Sequence, residues 1–415
     1  MASFPTQGQP YTVLPGDTLT KLAARAYGDE MQWSRIHRAN LQTIASPDKL
    51  QVGAVLMIPL EEAKLEAKAA GAVNRFATRA KGTATLVLAG REFPVTTLRA
   101  LCSAETMCDS WVVDLPRIPG ADPDFERLIR PKSFSPSELY LGPELIASGK
   151  IYSREPYKGK DGSRVTLEFF TATADLMDST MPPPYEYANS TLEQLAASII
   201  KPLGYGVRFE CETGGPFDKV TIERTEKIGA FFARLATQRG VLVTKDNLGN
   251  VVFTRPASGA AVADLEEGTP FPEEWKAKFD DRQFYSSYRV VGQSGDGKDI
   301  SSVVTDASVP ASRQITYAQG EGTAGKASDS AKWRRASALR DALAMPFPVA
   351  DWYNPKGNLW RANSIVNAKS DTLFIPKPFA FWVRSVEYVL DGGGRRATLS
   401  IIPPLDLDNL KEPWA

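Results

Sequence analysis

Hydrophobic residues in the first 60 positions follow two different periods. An apolar run at 12–14, closed by a Pro-Gly turn, is typical of a short strand. The next stripe has the spacing of a helix, and its members are Leu19, Leu22, Ala23, Ala26 and Tyr27. The same spacing returns at 33–40, before a closing strand at 55–58. The pattern predicts a strand, two helices and a strand around one small core.

A segment at 61–81 that is rich in Ala, Lys and Glu predicts a helical linker after this module. One side of the helix is apolar and offers a candidate surface for packing against a partner protein. The residues on that side are Leu65, Ala69, Ala72, Val73 and Phe76. A solvated linker without a partner is the alternative interpretation.

Strand-like alternation replaces the helical period after the linker. Short runs of alternating apolar and polar residues predict an antiparallel barrel or sandwich as far as about position 178. Helical stripes then return between 188 and 256, and Ser190 and Glu193 predict a capping box at the start of the first helix. Strands predominate again to the end of the chain. Two β domains are therefore expected to flank an α+β block.

These changes of period set the expected domain boundaries. Within the last domain, small residues predict a loop at 319–330, and a helical stripe follows at 332–344. The predicted ranges are 1–62 for the N-terminal module, 63–83 for the linker, 84–187 for the first β domain, 188–262 for the α+β insertion, 263–405 for the second β domain and 406–415 for a C-terminal tail.

Composition excludes several classes of partner. The chain has 415 residues, for which about three domains are expected, and its 49 basic and 49 acidic residues leave no net attraction to nucleic acid. No apolar run approaches the ~18 residues of a membrane-spanning helix, and the first ten residues lack the pattern of a signal peptide. Cys102, Cys108 and Cys211 follow no metal-binding spacing, and we interpret them as buried thiols of a protein assembled in the cytosol.

A single histidine argues strongly against enzymatic activity. Nucleophile-histidine triads need a histidine beside the nucleophile, and metal hydrolases usually use several as ligands. His37 is the only histidine, and its place in the second helical stripe predicts a structural imidazole. Carboxylate chemistry is not excluded by counting, but the acidic clusters at 264–267 and 280–281 are typical of solvated surface charge. We therefore predict no catalytic residue, no cofactor and no metal site.

Residues 11–60 resemble a LysM module, through Tyr-Thr-Val-Leu-Pro-Gly-Asp-Thr-Leu at 11–19, Ala-Tyr-Gly-Asp at 26–29 and the closing strand before Leu60. Members of that family most often bind N-acetylglucosamine chains, but the fold also serves as a docking block in contractile tails. The resemblance places the groove at Gly16, Asp17, Thr18, Leu19, Pro47 and Leu50. These turns carry no aromatic platform for a sugar, which favours docking to a protein over contact with peptidoglycan.

The rest of the chain resembles the Mu-type central baseplate hub proteins of contractile phage tails. The resemblance rests on Gly-Lys-Ile at 149–151 before a long strand, Asp-Leu-Met-Asp at 175–178 after it, and the Gly-Asn hairpin at 249–250. Leu359-Trp360 and the late Gly-rich hairpin continue the same order. The implied fold is multidomain and mainly β: a LysM module of βααβ order, then two antiparallel β-barrel domains like those of the tail tube, with an α+β insertion domain.

The same resemblance implies a structural role in a virion, in a tail baseplate assembled in the host cytoplasm. Three chains would form a ring that adapts a sixfold tail tube to a threefold spike. The implied partners are the tail tube protein, the central spike protein, the inner baseplate wedge proteins and, as a further candidate, the tape-measure protein, without membrane insertion or specific nucleic-acid binding. The alternatives are a peptidoglycan-binding protein and a LysM-targeted cell-wall hydrolase.

Overall fold

The computed structural model describes residues 5, 9–27, 30, 33–40, 43–44, 50–58, 79–160, 162–268, 274–293, 299–318, 324–405 and 410–414. The chain separates into two compact units, Met1–Arg79 and Ala80–Ala415. The predicted linker surface at Leu65, Ala69, Ala72, Val73 and Phe76, and the groove residue Pro47, lie outside the described residues.

The N-terminal unit has the order that its hydrophobic periods predict. Strand β1 (Pro10–Thr12) pairs antiparallel with β2 (Val55–Met57), and the helices α1 (Leu19–Tyr27) and α2 (Trp33–Ala39) lie between them in the chain. Its core contains Tyr11, Val13, Leu19, Leu22, Ala23, Ile36, Ile44, Leu56 and Ile58. A module of this size buries nearly all of its apolar stripe in that one core.

The second unit begins with seven strands. They are β3 (Ala84–Leu88), β4 (Arg91–Val95), β5 (Leu98–Ser103), β6 (Ser110–Pro116), β7 (Pro136–Leu141), β8 (Glu144–Gly159) and β9 (Gly162–Thr171). Helix α3 (Pro123–Leu128) precedes β7, and α4 (Ala174–Asp178) follows β9. Alternating burial along β3, β5 and β6 explains the strand-like period of the sequence.

An α+β block follows, with a core of its own. Its elements are β10 (Glu186–Ser190), α5 (Leu192–Ile199), a 3₁₀ turn (Lys201–Leu203), β11 (Val207–Phe209), β12 (Phe217–Thr221), α6 (Ile228–Thr237), β13 (Leu242–Lys245) and β14 (Val251–Thr254). Strand β14 pairs parallel with β11 and antiparallel with β13. The two helical stripes meet in a core that includes Leu195, Ile199, Phe231, Phe232 and Phe253.

The predicted capping box is displaced by one residue. Thr191 caps α5: its hydroxyl group accepts a hydrogen bond from the Gln194 amide at 3.2 Å, and Gln194 Oε1 accepts one from the Thr191 amide at 2.9 Å. Ser190 instead ends β10 and donates to the Ala188 carbonyl at 3.0 Å. Pairing of Ser190 with Phe217 holds it in the strand, so the cap falls on the next residue.

The last part of the unit returns to strands. They are β15 (Asp264–Glu266), β16 (Lys278–Phe279), β17 (Ser287–Gln293), β18 (Asp299–Thr305), β19 (Gln314–Ala318), β20 (Leu343–Val349), β21 (Ser364–Ser370), β22 (Ile375–Asp391) and β23 (Gly394–Ile402), with a 3₁₀ turn at Asp281–Gln283. Helix α7 (Ala324–Ala342) starts earlier than predicted. Its residues 324–330 fall in the predicted loop, and Ala327 and Ala331 pack with Val290 of β17.

One hydrogen-bonded path connects the strands of the two expected β domains. It runs β16-β20-β23-β22-β5-β6-β9-β8-β7-β3-β4, with β21 and β15 branching from β22, while β18-β17-β19 form a separate small sheet. Strands from both halves bury side chains in one core, which contains Trp111, Phe169, Phe347 and Leu399. The fold is mostly β with few helices, and no path among the described strands closes into a barrel.

Candidate functional site

The strand-helix turn of the N-terminal unit uses its polar groups internally. Asp17 Oδ2 accepts hydrogen bonds from the Tyr11 hydroxyl group at 2.7 Å and the Leu14 amide at 2.9 Å, and Oδ1 pairs with Arg25 at 3.1 Å. Burial alone would raise the pKa of Asp17, but the Leu14 amide, the Tyr11 hydroxyl group and Arg25 together lower it. The carboxylate therefore stabilises the turn through contacts within the module.

The other predicted groove residues also have structural contacts. Thr18 Oγ1 accepts a hydrogen bond from the Lys21 amide at 3.2 Å, and Lys21 Nζ donates to the Gly16 carbonyl at 3.0 Å. Leu19 is buried, and Leu50 is half-buried against the same core. The structure thus places Gly16, Asp17, Thr18 and Leu19 together between β1 and the first residue of α1, but the ligand role that we predict for them remains a prediction.

Asn40 fastens the second helix to the closing strand, a role that the helical spacing does not indicate. Its amide group donates to the carbonyls of Ile36 and Met57, each at 2.7 Å, and its Oδ1 accepts from the Met57 amide at 2.7 Å. The side chain is buried, so these bonds satisfy polar atoms that are shielded from solvent. An asparagine at the end of a helical stripe is the available sequence signal.

The outer face of the two-stranded sheet is apolar and exposed. Register places Thr12 opposite Val55 and Pro10 opposite Met57. Val55 and Met57 are 56% and 47% exposed, and Val52 before the strand is 62% exposed. Adjacent exposed apolar residues of this kind are typical of surfaces that meet another protein.

Asp175, part of the Asp-Leu-Met-Asp motif, collects three donors in the second unit. Lys150 Nζ lies 2.6 Å from Asp175 Oδ2, the Tyr205 hydroxyl group donates to Oδ2 at 2.9 Å, and the Tyr152 hydroxyl group donates to Oδ1. Burial, the hydrogen bond to Asp175 and the negative charge of that carboxylate, in this order, raise the pKa of both tyrosines. Burial would raise the pKa of Asp175 itself, but Lys150 and the two hydroxyl groups lower it.

A buried ion pair joins the α+β block to the loop between β5 and β6. Lys245 of β13 pairs with Asp109, and both side chains are less than one tenth exposed. Lys245 Nζ also donates to the carbonyls of Ser103 and Thr106, while Asp109 Oδ1 accepts from the Ser103 amide at 2.8 Å. Burial raises the pKa of Asp109, although Lys245 opposes the shift. The pair positions the block against the sheet.

The hairpins β8-β9 and β22-β23 share one register. Ile151 pairs with Phe169 and Ser153 with Glu168, so that one residue bulges between them; Val383 pairs with Ile401 and Ser385 with Ser400 around the same bulge. Adding 232 to a residue number of the first hairpin gives its counterpart in the second, as far as the two-residue loops after Gly159 and Asp391.

The correspondence extends to the neighbouring strands. β7 lies beside β8, and β21 lies beside β22, while β6 and β20 flank β9 and β23. β5 pairs with β6, where Leu101 lies opposite Ser110. β16 pairs with β20, where Lys278 lies opposite Ala344. These two pairings have the same register. The described strands therefore contain two copies of one arrangement, which we call the first repeat (β5-β6-β9-β8-β7) and the second repeat (β16-β20-β23-β22-β21).

The two repeats meet where β5 pairs with β22. Residues 98–103 of β5 lie antiparallel to 385–390 of β22, from Leu98 opposite Leu390 to Ser103 opposite Ser385. Arg99 and Glu387 form an ion pair across this joint. The first repeat thus contributes its β5 edge, and the second contributes the edge of its long strand.

The described residues contain no group of three or more His, Cys, Asp or Glu side chains arranged to hold a metal ion. No described helix combines the length and hydrophobicity needed to cross a bilayer. Asp109 and Asp175, the carboxylates in the two polar clusters, are held by lysine and hydrogen-bond donors. These contacts fix parts of the fold against one another.

Comparisons with known proteins match three separate parts of the chain and, over most of its length, one phage protein. A LysM domain model matches residues 11–59, a model of the second domain of gp44-like baseplate hub proteins matches 173–255, and a model of the fourth domain of the Mu phage baseplate assembly protein GpP matches 323–409. The baseplate hub protein gp44 of Escherichia phage Mu is 28% identical over 339 residues, which cover 77% of this chain and 88% of that protein.

Solved tail proteins have a similar fold. The 43 kDa tail protein of prophage MuSo2 from Shewanella oneidensis is 25% identical with a TM-score of 0.68, and the match covers 78% of this chain and all of that one. A tail protein from Neisseria meningitidis MC58 has the same TM-score at 17% identity, covering 77% of this chain and 96% of that one. The chain is thus a structural protein of a phage-type tail baseplate and not an enzyme. More particularly, it is a homologue of the Mu baseplate hub protein gp44 that carries a LysM module at its N-terminus.

Proposed function

We propose that three copies of this chain form a baseplate hub ring that adapts a sixfold tail tube to a threefold central spike. The observation that carries the proposal is the shared register of the hairpins β8-β9 and β22-β23. A chain with two similar repeats presents six similar units when it forms a trimer. Such a ring can match a sixfold assembly on one face and a threefold assembly on the other.

The proposal keeps the predicted domain plan. The two repeats are the centres of two tail-tube-like β-barrel domains at 84–187 and 263–405, with the α+β insertion at 188–262, the LysM module at 1–62, the linker at 63–83 and the tail at 406–415. Closure of each barrel in this proposal is completed by strands of neighbouring domains, because the described sheet has unpaired edges.

The LysM module serves in this proposal as a docking block for the inner baseplate. Its turn residues are occupied by internal hydrogen bonds, and its sheet carries the exposed apolar residues Val52, Val55 and Met57. Contact with a protein buries such side chains, whereas a sugar chain is more commonly held by aromatic platforms. The apolar side of the linker would extend the same contact. Peptidoglycan is the alternative ligand of the module.

We place the protein in the virion, at the tail baseplate, as a component assembled in the host cytoplasm. Its partners in this scheme are other tail proteins: the tail tube protein, the central spike protein, the inner wedge proteins and the tape-measure protein. The homology to the Mu baseplate hub supports this placement.

Native mass measurement of the full chain, alone and with the spike protein of the same tail, tests the hub role. We expect a trimer that binds one spike trimer. A chain that stays monomeric at all concentrations and in the presence of the spike would contradict the role. For the module, retention on protein-free peptidoglycan at micromolar affinity, lost in a variant without residues 1–62, would favour the sugar ligand over docking.

A further inference from the structure

The equivalence of the two repeats identifies a strand edge without a partner. In the second repeat, residues 385–390 of β22 pair with β23 on one side and with β5 on the other. Their counterparts in the first repeat are 153–158 of β8, which pair with β9 on one side. Among the described strands, none pairs with the other side of this segment. Ser153, Glu155 and Tyr157 along it are exposed.

A second unpaired edge belongs to the counterpart of β5. Register makes Lys278 the counterpart of Leu101, so residues 274–279 correspond to 97–102. Exposure alternates along this segment: Glu274, Lys276 and Lys278 are exposed, while the residues between them point inward. Trp275 packs on Phe347 of β20, with ring centroids 4.4 Å apart. Lys278 and Phe279 pair with β20, and the alternation and the Trp275 contact continue the same line toward residue 274. No described strand pairs with the outer side of this segment.

The two edges also carry matching charges. The joint inside the chain contains the ion pair between Arg99 and Glu387. The same register makes Lys276 the counterpart of Arg99 and Glu155 the counterpart of Glu387. One unpaired edge thus carries a positive residue where β5 has Arg99, and the other carries a negative residue where β22 has Glu387. Lys276 pairs with Glu274 of the same segment, but both side chains are more than two thirds exposed, so solvent competes readily with that pair.

We infer that residues 274–279 of one copy add as an antiparallel strand to residues 153–158 of a second copy, with Lys276 of one diagonal to Glu155 of the other, as Arg99 is to Glu387. This inference rests on the proposed hub role and names the surfaces that build its ring. The contact repeats between chains the joint that β5 and β22 make within a chain. It joins two different surfaces, so copies associate head to tail, and such a series closes into a ring when the rotation per step permits.

Pro156 makes the contact between chains weaker than the joint within a chain. A proline in a strand is tolerated where its nitrogen faces away from the paired strand, so Pro156 offers no donor to an added strand. Its counterpart Tyr388 retains a backbone donor and lies opposite Ala100 of β5. An edge with one donor fewer also resists indiscriminate pairing with other strands. Assembly is therefore expected to depend on the side-chain match as well as on the backbone.

Charge exchange on the full chain tests the contact. Glu155→Lys and Lys276→Glu are each expected to raise the concentration of half-assembly at least tenfold in native mass or sedimentation measurements. The double variant, which restores opposite charges, is expected to return assembly to within about threefold of the unaltered protein. Glu186→Lys, from the exposed pair with Lys219 in the α+β block, is the matched control and should leave assembly unchanged. Unaltered thermal unfolding shows that each variant is folded.

Cysteine cross-linking gives a second measurement. Glu155→Cys combined with Lys278→Cys places thiols at positions that correspond to the directly opposed Glu387 and Leu101. Mild oxidation should then yield covalent dimers and trimers that neither single variant forms. If the unaltered chain forms trimers but neither charge exchange nor cross-linking affects them, the inference is wrong and the hub role stands. If no oligomer forms even with the spike, both fail.

Discussion

The Tyr205 hydroxyl group donates a hydrogen bond to Asp175 Oδ2 at 2.9 Å, which links the α+β block to the helix that follows the first repeat. Lys150 and Tyr152 of β8 bind the same carboxylate. One side chain therefore holds together a long strand of the sheet, a short helix and the turn after α5. Its replacement should loosen the block without disturbing either core.

Asp175→Asn is expected to lower the free energy of unfolding by about 1–3 kcal/mol, because three donors lose a charged acceptor. Chemical denaturation of the full chain measures the change. Asp178→Asn is the matched control on the same helix: that side chain is 73% exposed and 3.6 Å from Lys227, so its loss should cost less than about 0.5 kcal/mol. Equal effects at both positions would contradict the assignment.

The same carboxylate predicts a dependence of stability on pH. The folded-state pKa of Asp175 is lowered, so its contribution is present above the unfolded pKa of about 3.9 and is lost as pH falls through the lower folded value. We expect the stability of the unaltered protein to fall more steeply below about pH 4 than that of Asp175→Asn. Denaturation midpoints from pH 2 to 6 compare the two, and parallel curves would exclude Asp175 as a contributor.

Lys245→Met should destabilise the protein by about 3–5 kcal/mol, since it leaves Asp109 charged and buried without its partner. Adding Asp109→Asn removes that charge and should recover a large part of the loss. The non-additivity of the double variant is the decisive quantity in denaturation measurements. Additive losses would mean that the two side chains do not depend on each other.

Asn40→Ala should selectively weaken the LysM module, because it removes two hydrogen bonds between the end of the second helix and the closing strand and a third within the helix. Hydrogen exchange of the full chain is expected to show at least about tenfold faster exchange of the Met57 amide, with unchanged rates in the large sheet. Thr12→Ala, at an exposed position of β1, should leave both sets of rates unchanged.

Thr191→Ala and Ser190→Ala separate the two candidate caps of α5. The Thr191 hydroxyl group accepts a hydrogen bond from the Gln194 amide at the start of the helix, so its replacement should lower the free energy of unfolding by about 1 kcal/mol. Ser190 makes only an exposed hydrogen bond to the Ala188 carbonyl at the end of β10, so its replacement should lower the free energy of unfolding by less than about half as much. A larger loss at Ser190 would restore the capping box that the spacing of Ser190 and Glu193 predicts.

Sequence periodicity predicts local elements well and their partners poorly. The stripe from Leu19 to Tyr27 gives α1, and the alternation in β8 and β9 gives a hairpin, because burial repeats at fixed spacing within each element. The pairing of β5 with β22 leaves no such trace, since any exposed edge can accept a strand of suitable shape. That pairing converts two expected separate domains into one continuous sheet.

Prediction of polar contacts from the sequence has the same limitation. Asp175 belongs to a motif that is visible in the sequence. Its hydrogen-bond donors, however, lie 23 to 30 residues away and become neighbours only after the sheet and helices pack. The groove residues Gly16 to Leu19 show the opposite case. Their spacing predicts a turn correctly, while the internal hydrogen bonds that occupy Asp17 depend on Tyr11 and Arg25 in three dimensions.

The joint between β5 and β22 has a consequence for synthesis on the ribosome. Arg99 and Glu387 are 288 positions apart, so roughly 15–60 s of translation separate them at about 5–20 residues per second. During that interval β5 has no partner on its outer side. The joint is therefore among the last contacts to form. A nascent chain interrupted before β22 would be released with an unpaired strand edge and a tendency to aggregate.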